Sequence, residues 1–343
     1  QSSPILFPAV LGWVLCALTI LSFLRLGNSS DRNLIRLVYG FIFIIAGLFC
    51  SMNSALCKGI SLPAGPLARL SSSCCARLTG RIDSIPFPSP GTGPLVKALL
   101  TGERSGLDRT TVEMFRSSGA SHLLALSGLH LGVIYLILTR LTSPLGNSPA
   151  AKKTRYLLVV GASGFYALMT GASASITRAF LFILIGETGK LTGRERNPSR
   201  VLLGALTLQL AMKPDVISTA GFQLSYLAML GICLLYPPLE GLYPRGEGIW
   251  SRADPFRKIW SAAILSISCQ AFTGPLAWFR FHSFPPHFLL TNLLALPCTT
   301  LLMGWAVATL VLQGIGCCPG ILIQVTDALA NGLVRILTII STM

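Results

Sequence analysis

Charge is scarce in this 343-residue chain: 11% of its residues are Asp, Glu, Lys or Arg, against about 25% in an ordinary soluble domain. Acids are the scarcest, 12 against 27 Lys and Arg, for a formal net charge of +15. A strongly hydrated soluble protein is excluded on that ground. Metal-site patterns are missing as well. The ten cysteines form no CxxC pair and have no nearby His to complete a zinc set, so no metal and no cofactor are implied. Residues 58–94 lack the alternation of a strand, which excludes a small barrel there. An initiating Met is absent too: the chain starts at Gln1, as a fragment of a longer protein would.

What is present is apolar sequence, 52% of the residues. Runs near the length that crosses a bilayer, about 20 residues, occur at 5–24, 34–56, 122–141, 216–236, 259–279, 288–312 and 321–340. Shorter ones lie at 156–172, 176–191 and 201–212. The expected fold is therefore an all-α polytopic membrane protein with nine to ten transmembrane segments. Its 33 Gly and 21 Pro imply interrupted half-helices, which lipid tolerates only beside a partner helix or a watery cavity. In the last run Gln324, Asp327, Asn331 and Arg335 share one helical face, opposite Ile321, Leu322, Val325, Leu329, Leu333 and Ile336. Such a helix either lies amphipathically in the interface or lines a wet passage.

The loops carry a topological signal. Arg25, Arg32 and Arg36, then Arg140, Lys152, Lys153 and Arg155, then Lys190, Arg194, Arg196 and Arg200, then Arg245, Arg252, Arg257 and Lys258 all fall on one side by alternation, 15 of the 27 basic residues. The positive-inside rule makes that side cytoplasmic. The segment 58–121 is then external, although it holds Lys58, Arg69, Arg77, Arg81, Lys97, Arg104, Arg109 and Arg116. Loops this long are largely exempt from the rule, and outward basic side chains equally suit a polyanion. Were that segment in an oxidising compartment, Cys57 could pair with Cys74 or Cys75.

Residues 98–132 read ALLTGERSGLDRTTVEMFRSSGASHLLALSGLHLG, a charged, glycine-punctuated stretch passing without a linker into an apolar run that holds His122, Ser127, Gly128 and His130. A second stretch, TGASASITRAF at 170–180, breaks an apolar run with small residues. A helix is predicted to start at Ile176 with Ser173 or Ser175 as N-cap, and its positive end attracts anions. Arg178, costly in lipid, should face a cavity or a partner, Glu187 being the bland choice. A third stretch, GFQLSYLAMLG at 221–231, places Gln223 and Ser225 inside a span. Asn292, Leu293 and Leu294 precede Pro297.

Together, in this order, these stretches resemble the competence domain of ComEC-type proteins, channels that carry single-stranded DNA across the bacterial inner membrane. The match runs over Thr170, Gly171, Ala172, Ser173, Arg178 and Ala179 in the second stretch. The resemblance implies a conduit and not an enzyme: Arg104, Arg109, Phe115 and Arg116 as a DNA-binding entrance, and His122, Ser127, His130, Thr170, Ser173, Arg178, Gln223, Ser225 and Asn292 lining the path. It divides the chain into two N-terminal helices (1–57), a short external linker (58–97) where the family usually has an oligonucleotide-binding domain, the channel core (98–320) and the final helix (321–343). The family's metallo-β-lactamase-like domain is missing from the sequence. Implied partners are single-stranded DNA, the lipid bilayer, a DNA receptor outside and a DNA-translocating or single-strand-binding protein inside. Two other classes fit the residues alone. A secondary transporter of a small anion would use the same broken helices, and a serine hydrolase could be built on Ser127 and His130, though no carboxylate is evident to orient it.

Overall fold

The computed structural model describes residues 65–193, 197–243, 254–282 and 287–342. The runs at 5–24 and 34–56, with Cys57, lie outside them. The described residues are helical, with no strand among them. In chain order the helices are α1 Pro66–Asp83, α2 Thr92–Thr101, α3 Arg109–Ser117, α4 Ser121–Leu124, α5 Gly128–Leu141, α6 Pro149–Met169, α7 Ala174–Leu191, α8 Pro198–Met212, α9 Ala220–Glu240, α10 Pro255–Phe281, α11 Phe288–Gly314 and α12 Gly320–Ser341.

Local sequence sets the boundaries. Ser148, Asn197 and Asp254 each accept hydrogen bonds from the first turn of the helix that follows, and each is followed by Pro at its first position. A cap oxygen there satisfies a free N–H, and Pro has none to lose. At the other end of α5, Arg155 donates to the carbonyls of Thr142, Ser143 and Gly146, so one of the charges counted toward topology also closes a helix.

Five described helical stretches are long and apolar enough to cross a membrane: Gly128–Leu145, Ala220–Glu240, Pro255–Phe281, Phe288–Gly314 and Gly320–Ser341. This is fewer than the nine to ten expected, and the shortfall has physical causes besides the undescribed runs. α8 has 15 residues, about 22 Å. α6 spends its first two turns on Lys152, Lys153 and Arg155, and α7 contains Arg178, Glu187 and Lys190.

Neighbouring helices pair in sequence, α5 with α6, α6 with α7, α7 with α8, α9 with α10 and α11 with α12. α9 and α10 come close at Gly231, where a Cβ would collide with the Ser268 carbonyl oxygen. Only a glycine permits that contact.

The main core forms around α2. Leu95, Val96, Ala98, Leu99 and Leu100 are buried together with Phe115, Leu123, Leu124, Ala295, Leu302, Met303, Leu333 and Leu337. Within 58–121, expected as an external segment, α2 packs against α11 and α12, and seven of its ten residues are buried. The expected boundary at 97/98 falls inside this helix. Lys97 pairs with Asp83 of α1 at 2.6 Å, and the Tyr166 hydroxyl donates to the Leu100 carbonyl at 2.8 Å.

α12 is turned differently from its sequence pattern. Its buried stripe is Leu322, Thr326, Asp327, Ala330, Leu333, Leu337 and Ile340, so Asp327 points inward and not with Gln324 and Arg335, which are exposed. Its carboxylate accepts from the Ser89 N–H at 3.1 Å, the Ser89 hydroxyl at 2.9 Å, the Thr92 hydroxyl at 2.6 Å and the Asn331 amide at 3.0 Å. This places a negative charge at the positive end of α2.

Candidate functional site

The run expected as one helix over 122–141 is broken. α4 ends at Leu124, and Ser127 is the N-cap of α5, its hydroxyl accepting from the Leu129 N–H at 3.3 Å. The Ser127 N–H donates in turn to His130 Nδ1 at 3.1 Å. An Nδ1 that accepts is unprotonated, so His130 is the neutral Nε2–H tautomer. The 3.1 Å approach of Ser127 Oγ to the same nitrogen is thus part of a capping box. His130 is fully buried, and its Nε2 makes no hydrogen bond of normal geometry, although the Leu123 carbonyl interacts with the ring.

The break in the second stretch is present too, two residues earlier than its expected start. α6 ends at Met169, Thr170 bonds back to the Tyr166 carbonyl at 2.9 Å, and Gly171 and Ala172 take φ of 80° and 46°. α7 starts at Ala174 with Ser173 as its cap, accepting from the Ile176 N–H at 3.4 Å. The positive φ at Gly171 is the conformation that glycine takes without penalty.

α7 carries Arg178 into the interior, where it is 9% exposed. Its guanidinium lies over the Tyr226 ring of α9, 5.9 Å from the centroid, within cation–π range. On another side is Gly128, the first residue of α5: a Cβ there would stand 3.2 Å from Arg178 Nη2 and 3.3 Å from the Ala179 Cβ. Tyr226 is fixed by donating to Gln209 Oε1 at 2.9 Å, and Gln209 donates to the Ala174 carbonyl at 3.0 Å. SGLH, TRAF and LSY, distant in sequence, thus meet around one cation.

Arg178 does not pair with Glu187. That carboxylate accepts from Tyr135 at 2.6 Å and from Lys190 at 2.6 Å. Among the described residues Arg178 makes no hydrogen bond and no ion pair, and Nη1 is fully enclosed. Sequence reasoning singled out neither Tyr226 nor Gln209. A tyrosine inside a quoted motif and a glutamine inside an apolar run were the available signals.

The other expected residues are dispersed. Gln223 donates to the Ile217 carbonyl at 2.9 Å and accepts from Arg280 at 3.3 Å, and Ser225 is half-buried beside Tyr226 in sequence. Asn292 Oδ1 is buried without a partner, next to Thr291, which donates to the Ser118 carbonyl at 2.6 Å. His122 Nδ1 meets the Gly119 carbonyl at 3.1 Å on an exposed ring. Arg104, Arg109 and Arg116 are exposed. Phe115, grouped with them, is not: at 1% exposure it anchors α3 in the core and offers no face to a base. Cys74 and Cys75 carry free thiols.

Comparison with known proteins bears on this convergence. Residues 99–343 match the competence-protein family profile, more than half of the chain. The chain belongs to the competence-protein family. It is 27% identical to ComE operon protein 3 of Bacillus subtilis over 212 residues, 62% of this chain and 25% of that protein. It is 29% identical to competence protein ComA of Neisseria gonorrhoeae over 231 residues, 66% of this chain and 30% of that one. Against the uncharacterized protein YcaI of Escherichia coli it is 25% identical over 213 residues, 60% and 27% of the two chains. The chain thus spans about a quarter to a third of the length of these relatives. No solved structure matches it. All the residues around Arg178 fall within the family match, and membership together with the apolar helices makes this a membrane protein.

Proposed function

We propose that this chain is the membrane core of a conduit that takes up DNA in natural transformation, passing a single strand across the bacterial cytoplasmic membrane. The observation that carries the reading is the buried Arg178, unpaired among the described residues, at the meeting point of three stretches of the competence family. An intramembrane cation is expensive and faces a path or a partner, and a strand of phosphates is the anion that the family's role supplies.

On this reading residues 102–121 form the outer mouth, and the basic-rich loops after α5, α7 and α9 face the cytoplasm. Three acids, Glu103, Asp108 and Glu113, alternate with Arg104, Arg109 and Arg116. The mouth therefore carries no net charge over that stretch, and capture rests on individual arginine–phosphate contacts more than on a broad field. Arg109 and Arg116 lie seven apart on α3, hence on one face, which Phe115 orients by burying the other. A DNA receptor would deliver the strand there, and a translocating or strand-binding protein would draw it from the cytoplasmic side.

The test is import of labelled DNA by cells whose sole copy carries Arg178→Ala or the Arg104/Arg109/Arg116 triple Ala, at matched membrane levels. Import should be lost in the first and reduced, more so at high salt, in the second. Normal import in both would sink the conduit reading. The same cation, unpaired among the described residues, also suits a transporter of a small anion; uptake of inorganic phosphate that Arg178→Ala abolishes, with no import of DNA, would favour that reading.

A further inference from the structure

A five-donor cation buried to this degree without a hydrogen bond or an ion pair to a described residue is costly, because an enclosed charge is retained only when something pairs with it. Its surroundings deepen the deficit. Gly128, against the guanidinium, is the first residue of the 14-residue α5, whose N-terminus carries about half a positive charge. In that first turn the Leu129 N–H is taken by Ser127 Oγ and the His130 N–H by the Ser127 carbonyl. The Gly128 N–H has no partner among the described residues. A helix start and a guanidinium, both unsatisfied and both positive, are thus held together by the fold.

We infer that Arg178 and the first turn of α5 form a binding site for a single phosphate oxyanion. One guanidinium with about half a helix-end charge suits a monoanionic phosphodiester, and the planar fork of Arg suits two of its oxygens. Tyr226 is the floor of the site, held against α7 through Gln209 and the Ala174 carbonyl. Gly128 lets the guanidinium come up against the start of α5, since a Cβ there would stand 3.2 Å from Arg178 Nη2. The site rests on the conduit reading only for the source of its ligand. A phosphodiester in a strand and free inorganic phosphate carry the same chemistry.

Thermal unfolding of the purified protein in detergent, titrated with inorganic phosphate against chloride at constant ionic strength, tests the site. Wild type should be stabilised by phosphate, with an apparent affinity that falls about tenfold or more in Arg178→Gln. Without phosphate, Arg178→Gln should melt higher than wild type, because it removes an uncompensated charge. Gly128→Ala should weaken phosphate binding, because the added methyl group forces Arg178 Nη2 away from the start of α5. Equal stabilisation of wild type and Arg178→Gln, or a lower melting point of Arg178→Gln without phosphate, overturns the proposal.

A second arm compares a thymidine oligonucleotide with the same strand carrying neutral methylphosphonate links. The protection that Arg178→Gln loses should come from the charged strand alone. If inorganic phosphate protects and neither strand does, the site stands with free phosphate as its ligand, and the conduit loses this contact. If Arg178→Gln abolishes DNA import yet leaves phosphate stabilisation unchanged, the conduit stands and this site falls.

Discussion

Asp327 and Arg178 are buried to nearly the same extent, 7% and 9% exposed, and the fold treats them in opposite ways. The carboxylate of Asp327 accepts four hydrogen bonds from Ser89, Thr92 and Asn331 and faces the positive end of α2. Among the described residues Arg178 meets an aromatic face, a helix N-terminus and the Cys269 thiol, with no hydrogen bond and no ion pair. The first arrangement offsets the cost of burial within the chain and ties α12 to a segment more than 230 residues away. The second leaves the cost standing. A charge whose needs are met inside the fold holds structure together, whereas one whose needs are unmet marks where something from outside is accommodated.

The contrast can be broken most forcefully at Asp327. Asp327→Ala strands the Ser89 N–H and the Thr92 hydroxyl and removes a negative charge near the N-terminus of α2, and should lower stability by about 1–3 kcal/mol for each stranded donor. Asp327→Asn keeps an acceptor and should cost less. Thermal unfolding of the purified protein, without ligand, reads both. Should Asp327→Ala melt as wild type while Arg178→Gln melts lower, the assignment of one to structure and the other to ligand is reversed.

A smaller effect separates the floor of the Arg178 site from its support. Tyr226→Phe keeps the ring under the guanidinium and loses the bond to Gln209, at a cost of about 1 kcal/mol. Tyr226→Leu loses the ring as well. DNA import should survive largely intact in the first and fall in the second. Equal loss in both would mean that the hydroxyl network, and not the aromatic face, positions Arg178.

Legibility from sequence follows the same line between local and distant causes. The start of α7 is legible because caps act within one turn: Ser173, one of two candidate serines, is the cap, although the helix begins two residues before Ile176. Arg178 was recognisable as a residue needing a cavity or partner, since charge in an apolar run is visible at once. Tyr226 was not, because an aromatic in a span ordinarily meets lipid. α2 escaped because ten residues reach only about 15 Å, too short for a hydropathy window, and its charged flanks resemble a surface loop. Its apolar face is buried against α11 and α12, and its start is met by Asp327, which helical periodicity groups with the polar face of α12. Phe115 was misplaced for the mirror reason: flanking charges suggested an exposed ring, while the core behind α3 claimed it.

The smallest expected effect lies at a second carboxylate near a helix start, this one a true N-cap outside the spans. Asp254 accepts from the Phe256 N–H at 2.9 Å at the start of α10 and from the Tyr243 hydroxyl at 2.7 Å. The Tyr243 bond first, and the backbone donors after it, hold its carboxyl below the usual carboxylate range. A lowered folded-state value means that the contribution is present at pH above the ordinary carboxylate pKa, about 3.9, and is lost as pH falls through the folded-state value. Tyr243→Phe removes the main cause. The small advantage of wild type over Tyr243→Phe in melting temperature should therefore be complete near neutrality and shrink on acidification below about pH 4. Asp327 and Asp254 both accept hydrogen bonds near helix starts, but Asp327 is buried and Asp254 only half-buried, so water competes more at Asp254. If Asp254→Ala proved as damaging as Asp327→Ala, burial would not be what distinguishes them, and the contrast with Arg178 would have to rest on hydrogen-bond count alone.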